Sequence, residues 1–390
     1  MQLLAAAVKI LDLCGMFGVY LHIPFCRKAC TYCNFHFSTN LKGTEDMARA
    51  ISGEIDLTPM PETGMNTLYF GGGTPSLLKP LELELIFTHL RAKTDFSKVQ
   101  EITLECNPED ITYESLELWH KLGITRLSLG LQSLDDAELK AMNRAHSAAL
   151  SMWVLEMIHN TGVFDVSVDL IYATPWKSNA QWERELNRLL RHPAVGHLSA
   201  YALTVEPKTQ LNHQIKKGIV KEAQDELMVS QFQILQEKIK SEDWEAYEIS
   251  NYALPGKRAK HNSQYWKFIP YFGIGPAAHS YDGNKTRYMN VANNALYIQS
   301  LNEGKLPRIY EELSDLDCLN ERLMTGLRTK EGIEIKELQR YFPEWESRQI
   351  KEINSYLSQG HLIKNTTGYT LSESGKLISD QIISDLMIIE

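Results

Sequence analysis

Over the first two-thirds of the chain, short apolar or alternating runs take turns with longer amphipathic stretches. The runs Val19–Ile23, Thr67–Phe70, Glu101–Glu105, Arg126–Leu129, Val166–Ile171 and Leu198–Leu203 are mostly rich in Val, Ile, Leu and Tyr. Their length and alternation predict strands. The stretches between them have helical length. Tyr113–Leu122 is closed by Gly123 and Ser147–Asn160 by Gly162, each a glycine where a helix commonly ends in left-handed backbone. About six βα units in series predict an α/β chain with a parallel sheet, either doubly wound or a partial barrel. The section from 210 to 300 is less regular, with one long helix expected over Lys221–Ile239 before aromatic and Gly-rich segments. Near the end, helices expected at Leu319–Leu327, Ile335–Tyr341 and Ser347–Gln359 precede a hairpin pattern, Leu362–Leu371, around Asn365-Thr-Thr-Gly368. That order resembles a winged-helix module.

Composition narrows the class. With 390 residues and 43% hydrophobic content, the chain can bury a sizeable core, as two or three domains or as one barrel with an appendage. Its formal charge is −9, from 49 acidic and 40 basic residues. There is no long basic tract, so nothing favours a nucleic-acid partner. Residues 1–15 are mostly apolar, with Lys9 the one basic residue. They lack the charged start and cleavage site of a secretory signal and are too short to span a bilayer. Met16 directly precedes the first strand, so residues 1–15 are expected to be an upstream extension. The expected division is then a barrel over 16–240, a connecting region over 241–305 and a small helical domain over 306–390.

Six cysteines are present, and three of them, Cys26, Cys30 and Cys33, fall within eight residues as C-x3-C-x2-C. A secreted disulfide framework would be denser and more evenly paired, so the cluster points to metal or redox chemistry in a reducing, cytoplasmic setting. Closed iron–sulfur cubanes usually take four thiolates. Three leave one iron open to chelation by an amine and a carboxylate, the methionine end of S-adenosylmethionine. The alternative is structural zinc, with His36 or His22 completing a Cys3His set.

Each expected strand ends in a polar or Gly-rich feature. After the first comes the cysteine loop, and after the second Gly71-Gly-Gly-Thr-Pro75. The third ends at Glu105 in Glu-Cys-Asn-Pro, and the fourth runs into Gly130-Leu-Gln132-Ser. The fifth carries Asp169, and the sixth ends in Ser-Ala-Tyr-Ala-Leu-Thr-Val-Glu206. Parallel α/β folds bind ligands beyond the carboxyl ends of their strands, so these features are expected on one face. A lone strand-end carboxylate is as often a cap or an ion-pair partner.

Together these motifs resemble the radical S-adenosylmethionine superfamily, over roughly residues 17–385. Within it the chain is similar to the branch that holds oxygen-independent coproporphyrinogen III oxidases and heme chaperones of the HemW type. The resemblance rests on Tyr20-Leu-His-Ile-Pro-Phe-Cys26, Gly71-Gly-Gly-Thr-Pro-Ser76, Glu105-Cys-Asn-Pro108, Gly130-Leu-Gln-Ser133, Asn143-Arg144, Asp169-Leu-Ile-Tyr172 and Leu371-Ser-Glu-Ser-Gly-Lys376. It implies a partial (β/α)6 barrel with a small C-terminal helical, winged-helix-like domain. It implies a 4Fe–4S cluster on Cys26, Cys30 and Cys33. Tyr20, Gly72 and Glu105 would contact the cluster-bound S-adenosylmethionine. Gly73, Thr74, Gln132, Arg144 and Asp169 match residues that hold a second S-adenosylmethionine in the oxidase, and Ala202 matches a further contact there.

Two features separate the branches. The oxidase has a further cysteine two residues after the last cluster cysteine, where this chain has Phe35. The chain also carries His261-Asn-Ser-Gln-Tyr265-Trp266, which resembles the chaperone's H-N-x-x-Y-W signature. Both favour a chaperone that binds heme and passes it to an apo-hemoprotein, with room for transient membrane contact during transfer. The alternative is radical decarboxylation of coproporphyrinogen III. The resemblance makes His261, Tyr265 and Trp266 candidate heme contacts. The residues alone also fit a buried aromatic cluster around a hydrogen-bonded histidine.

Overall fold

A computed structural model describes residues 15–389. The extension expected over residues 1–15 lies, apart from Gly15, outside the described residues. Six parallel strands run through the first part of the chain: β1 (Phe17–Ile23), β2 (Met65–Gly72), β3 (Glu101–Cys106), β4 (Arg126–Gln132), β5 (Asp165–Tyr172) and β6 (Val195–Ala202). All six strands expected from the sequence are present, and they lie side by side in chain order. Helices cross between them, among them Thr44–Leu57, Pro80–Lys93, Tyr113–Leu122 and Ala148–Thr161.

The alternation along these strands decides which way the sheet curls. Val19, Leu21, Leu68, Phe70, Leu104, Leu127, Leu129, Val168 and Leu198 are fully buried in one apolar core. The residues between them are polar: Tyr20 and His22, Thr67 and Tyr69, Glu101 and Glu105, Arg126 and Ser128, Ser167 and Asp169. These polar residues meet each other across the concave face. Arg126 donates to Glu101 at 2.8 Å and to Ser167 at 2.9 Å, both far apart in sequence. An unpaired guanidinium there would be costly, so the Glu101 carboxylate compensates its burial. The barrel interior is therefore a stack of polar layers wrapped by an apolar shell, and the period-2 pattern records both faces.

The sheet does not close. The complete order is β12-β11-β10-β9-β1-β2-β3-β4-β5-β6-β8-β7, with β7 (Glu245–Glu248), β8 (Asn251–Ala253), β9 (Tyr271–Ile274), β10 (His279–Tyr281), β11 (Thr286–Asn290) and β12 (Arg308–Glu312) extending both sides. β9 pairs parallel with β1, so the parallel run is one strand longer than the sequence pattern indicates. The middle segment is part of the barrel's core, to which it adds Tyr252, Phe272, Ile274 and Tyr297. β12 pairs with β11, which puts the edge of the C-terminal unit after Glu312, not at residue 306.

That unit has its own core of Leu319, Leu323, Trp345, Ile353, Tyr369, Ile382 and neighbours. Helices Asp315–Gly326 and Ile350–Ser358 pack with a small sheet, β13 (Ile333–Glu334), β14 (Leu362–Lys364) and β15 (Gly368–Leu371), in the winged-helix-like order expected. Among the described residues no helix is long and apolar enough to cross a membrane.

Candidate functional site

A cavity of about 490 Å³ opens at the carboxyl ends of β1–β6, within the roughly 300–1,000 Å³ typical of small-molecule sites. Its walls include Cys26, Cys30, Cys33, Gly72, Gly73, Thr74, Glu105, Gln132, Arg144 and Asp169. The strand-end features read from the sequence therefore meet in one place. Ala202 lies on the same wall.

Backbone geometry brings the three thiols there. Immediately after β1 the chain doubles back, with Cys26 N donating to Ser38 O and Ser38 N to Pro24 O. Gly73 fits beneath this loop, its N–H donating to Ile23 O at 2.8 Å. A Cβ at Gly73 would lie 2.5 Å from Phe25 O and 2.7 Å from Phe25 N, so only glycine allows this approach. Thr74 follows, with its hydroxyl 3.6 Å from Cys26 Sγ. None of the three cysteines forms a disulfide. Burial pushes the Cys26 thiol up to about 11, a cost that bonding to a metal would remove.

Among the described residues, the zinc alternative finds no imidazole grouped with the thiols around one ion. His22 Nε2 donates to His36 O at 2.9 Å, and its Nδ1 lies 3.1 Å from the Tyr20 hydroxyl. Burial holds His22 neutral, down at about 4, so Tyr20 is the donor of that pair. His36 Nε2 is tied to Asn294 at 2.8 Å. Among the described residues no three His, Cys, Asp or Glu side chains are grouped to hold a single metal ion. A cubane, in contrast, takes each thiolate on a separate iron.

Two carboxylates line the cavity from the barrel side. Glu105 accepts from Tyr69 Oη at 2.7 Å and Gly72 N at 3.1 Å. Burial raises its pKa to about 7, with the Asp169 charge adding to the rise and its two hydrogen bonds opposing it. Burial likewise raises Asp169 to about 6, against hydrogen bonds from Ser199 and Ser128. Two acids this poorly compensated form a receptor for a cationic or polyhydroxy ligand. Gln132 projects from a left-handed backbone position (φ 66°), where the pairing of β4 with β5 slips by one residue. Such bulges re-aim a side chain at a strand end.

Asn107 was not singled out in the sequence although it stands in the quoted Glu-Cys-Asn-Pro motif. Its amide donates to Thr74 at 3.3 Å and its carbonyl accepts from Arg144 at 2.6 Å, which joins two of the expected site residues. Tyr69 was also missed, because in sequence it is one more aromatic in a strand. Tyr20 does not line the cavity; it stacks on Tyr69 one layer below, with ring centroids 6.0 Å apart.

The candidate heme contacts are placed elsewhere. His261 is 2% exposed and lies inside the barrel beneath the cavity. Its Nδ1 is 2.8 Å from Thr67 Oγ1 and its Nε2 is 2.9 Å from Tyr265 Oη, so neither ring nitrogen is free for iron. Trp266 packs edge-on against Tyr247. None of these three candidate heme contacts lines the cavity of the cysteine loop. The alternative reading of a buried aromatic cluster around a hydrogen-bonded histidine describes what is seen.

Comparison with known proteins agrees with this geometry. The radical SAM superfamily model matches residues 20–189. A Mycobacterium tuberculosis protein named heme chaperone HemW is 30% identical over 378 residues, covering 95% of each chain. Its Bacillus subtilis namesake is 29% identical, covering 94% of this chain and 98% of the relative. A Bos taurus protein named radical S-adenosyl methionine domain-containing protein 1, mitochondrial, is 31% identical over 95% of this chain and 87% of its own length. The solved coproporphyrinogen III oxidase HemN from Escherichia coli superposes with a TM-score of 0.83 over 98% of this chain and 93% of its own, at 19% identity, which is a likeness of fold. A half-open parallel barrel with three thiols over its carboxyl end is the architecture of the radical S-adenosylmethionine superfamily, and this chain is one of its members. Within the superfamily it belongs to the HemW family.

Proposed function

We propose that this chain is a heme chaperone that binds heme and hands it to an apo-hemoprotein. Cys26, Cys30 and Cys33 would hold a 4Fe–4S cluster. Glu105, Gly72 and, through its stack on Tyr69, Tyr20 would shape the place of S-adenosylmethionine, with Gly73, Thr74, Gln132, Arg144 and Asp169 on the facing walls. The donor set fits such a pair: three thiols without disulfides, a glycine shelf with no side chain in the way, and two buried acids short of a cation. When bound, an iron lacking a fourth thiolate supplies a chelation point for an amine and carboxylate, and one-electron chemistry at the sulfonium. The protein's own part is to keep this place narrow and to orient the ligand's polar groups with Glu105 and Asp169.

The observation that carries the chaperone reading is the near end-to-end match to proteins named heme chaperone HemW. Phe35 supports it: where the oxidase pattern has a cysteine, this chain puts a phenylalanine, 69% exposed on the cavity's rim. The test is anaerobic. Reconstituted protein is titrated with hemin and then supplied with S-adenosylmethionine, a reductant and coproporphyrinogen III. Tight binding of one hemin with no protoporphyrinogen formed is the expected result. Turnover to protoporphyrinogen would overturn it and make the chain an oxidase.

A further inference from the structure

The His261–Trp266 motif is left unused by the cofactor site, yet its helix, Lys260–Trp266, seals the opposite end of the barrel. The N–H groups of Lys260 and His261 donate to Glu101, the first residue of β3, at 3.1 and 2.9 Å. Gln264 and His261 then point inward onto Thr67 of β2. β1 makes room for them: a Cβ at Gly18 would lie 2.9 Å from Gln264 Oε1 and 3.2 Å from both His261 Cε1 and Thr67 Oγ1. The motif is thus a plug, with a bare strand position shaped to receive it.

The plug touches the layer above. The His261 ring stacks under Tyr69, centroids 5.1 Å apart and planes at 29°. The Tyr69 hydroxyl donates to Glu105 Oε1, while Glu105 Oε2 accepts from Gly72 N. His261, Tyr69 and Glu105 therefore form a column from the barrel floor to the cavity wall. Removing the His261 ring would open space into which the Tyr69 ring can sink, and the Glu105 carboxylate would lose its one side-chain donor.

We propose that the His261 motif positions the S-adenosylmethionine site instead of ligating heme: His261 sets the height of Tyr69, and Tyr69 fixes the rotamer of Glu105. His261 and Tyr69 are positioning residues, and the inference rests on the reading that S-adenosylmethionine lies against Glu105. It differs from a general packing role because the effect passes through one hydrogen bond, Tyr69 Oη to Glu105 Oε1, which Tyr69→Phe removes while keeping the ring that stacks on His261.

The experiment uses the full chain with reconstituted cluster. S-adenosylmethionine binding is followed by its effect on the EPR spectrum of the reduced cluster, and hemin binding by the Soret band. Glu105→Ala is the reference variant and should abolish or strongly weaken S-adenosylmethionine binding. His261→Ala and Tyr69→Phe should each weaken it roughly tenfold or more, the scale of a lost hydrogen bond to a charged group. His261→Phe, which keeps a flat ring under Tyr69, should weaken it less than His261→Ala does. Hemin affinity and the Soret maximum should stay unchanged in all of these. Should His261→Ala fail to fold, Tyr69→Phe decides, since it removes one oxygen only. Unchanged S-adenosylmethionine affinity in Tyr69→Phe, or a shifted Soret band in His261→Ala, overturns the positioning role. If Glu105→Ala itself binds normally, the placement of S-adenosylmethionine fails first and the column loses its purpose with it.

Discussion

Arg144 puts one guanidinium nitrogen 3.4 Å from Cys30 Sγ and the other 2.6 Å from Asn107 Oδ1 and 2.7 Å from Gly130 O. One side chain thereby ties the cysteine loop to the ends of β3 and β4. A fixed cation beside a cluster thiolate favours the more negative, reduced state, and N–H···S bonds act in the same direction. Arg144→Ala is expected to move the cluster's reduction potential to a more negative value. Arg144→Lys should restore it in part at most, since a single ammonium cannot reach all three acceptors. An EPR-monitored redox titration reads this, and a potential unchanged in both variants would remove Arg144 from the electrostatics of the cluster.

The two buried acids give the site a pH dependence. Glu105 is raised to about 7 and Asp169 to about 6, both chiefly by burial. A ligand bearing an ammonium and a sulfonium favours their ionised forms, so it must displace protons at acidic pH. Affinity for S-adenosylmethionine should rise from about pH 5.5 to 7.5 and level off above. The stability of the ligand-free protein should run the other way. Folded Glu105 keeps its proton above its unfolded value, so the folded state binds more protons between about pH 4.5 and 7, and stability falls as pH rises through that window. Equilibrium titrations at several pH values check the first trend and urea unfolding the second. A flat affinity profile would mean that neither acid meets the cation.

Cys30→Ala is expected to remove most bound iron and sulfide while the barrel stays folded. The loop that carries the thiols is held by backbone bonds at Cys26, Thr31 and Ser38, and Cys30 itself is not part of the apolar core. Iron and sulfide analysis beside circular dichroism decides it. A cluster retained at parent stoichiometry would show that Cys30 is not a ligand.

Much of this architecture is legible in the sequence because the strands alternate strictly. Val19, Leu21 and Ile23 on one side of Tyr20 and His22 announce a strand with an apolar outer and a polar inner face. The cysteine spacing and the strand-end motifs are local, so their convergence follows once the strands are parallel and neighbours. What is hidden depends on pairs distant in sequence. β9 is a four-residue strand in a Gly-rich stretch, and its place beside β1 is set by packing that no local pattern encodes. The role of His261 depends on Gly18 and Thr67, roughly two hundred residues earlier. A histidine among aromatics reads equally well as a ligand or as core until its partners are known.

Glu54 is the clearest case of such a distant partner set, and it carries a stability test. It sits in helix Thr44–Leu57, fully buried, where an acidic residue in an amphipathic stretch would be expected to face solvent. Its carboxylate accepts from Gly275 N at 2.8 Å, Tyr297 Oη at 2.5 Å, Asn290 Nδ2 at 2.7 Å and Arg308 Nη2 at 3.2 Å. It thus fastens the β9–β12 extension onto the helix that covers β1. Arg308 is nearly as buried, its side chain 4% exposed, with its guanidinium over the Tyr288 ring. Glu54→Ala strands that cation and orphans Gly275 N and Tyr297 Oη, while Asn290 Nδ2 keeps its bond to Gly275 O. The expected loss is about 3–5 kcal/mol, the scale of breaking one partner out of a buried ion pair. Removing both charges in Glu54→Ala/Arg308→Met should cost less than the single change, because no uncompensated charge remains inside. Urea unfolding of the parent and both variants measures the difference. A single variant within about 1 kcal/mol of the parent would mean that water reaches Arg308 and that the network contributes geometry without much stability.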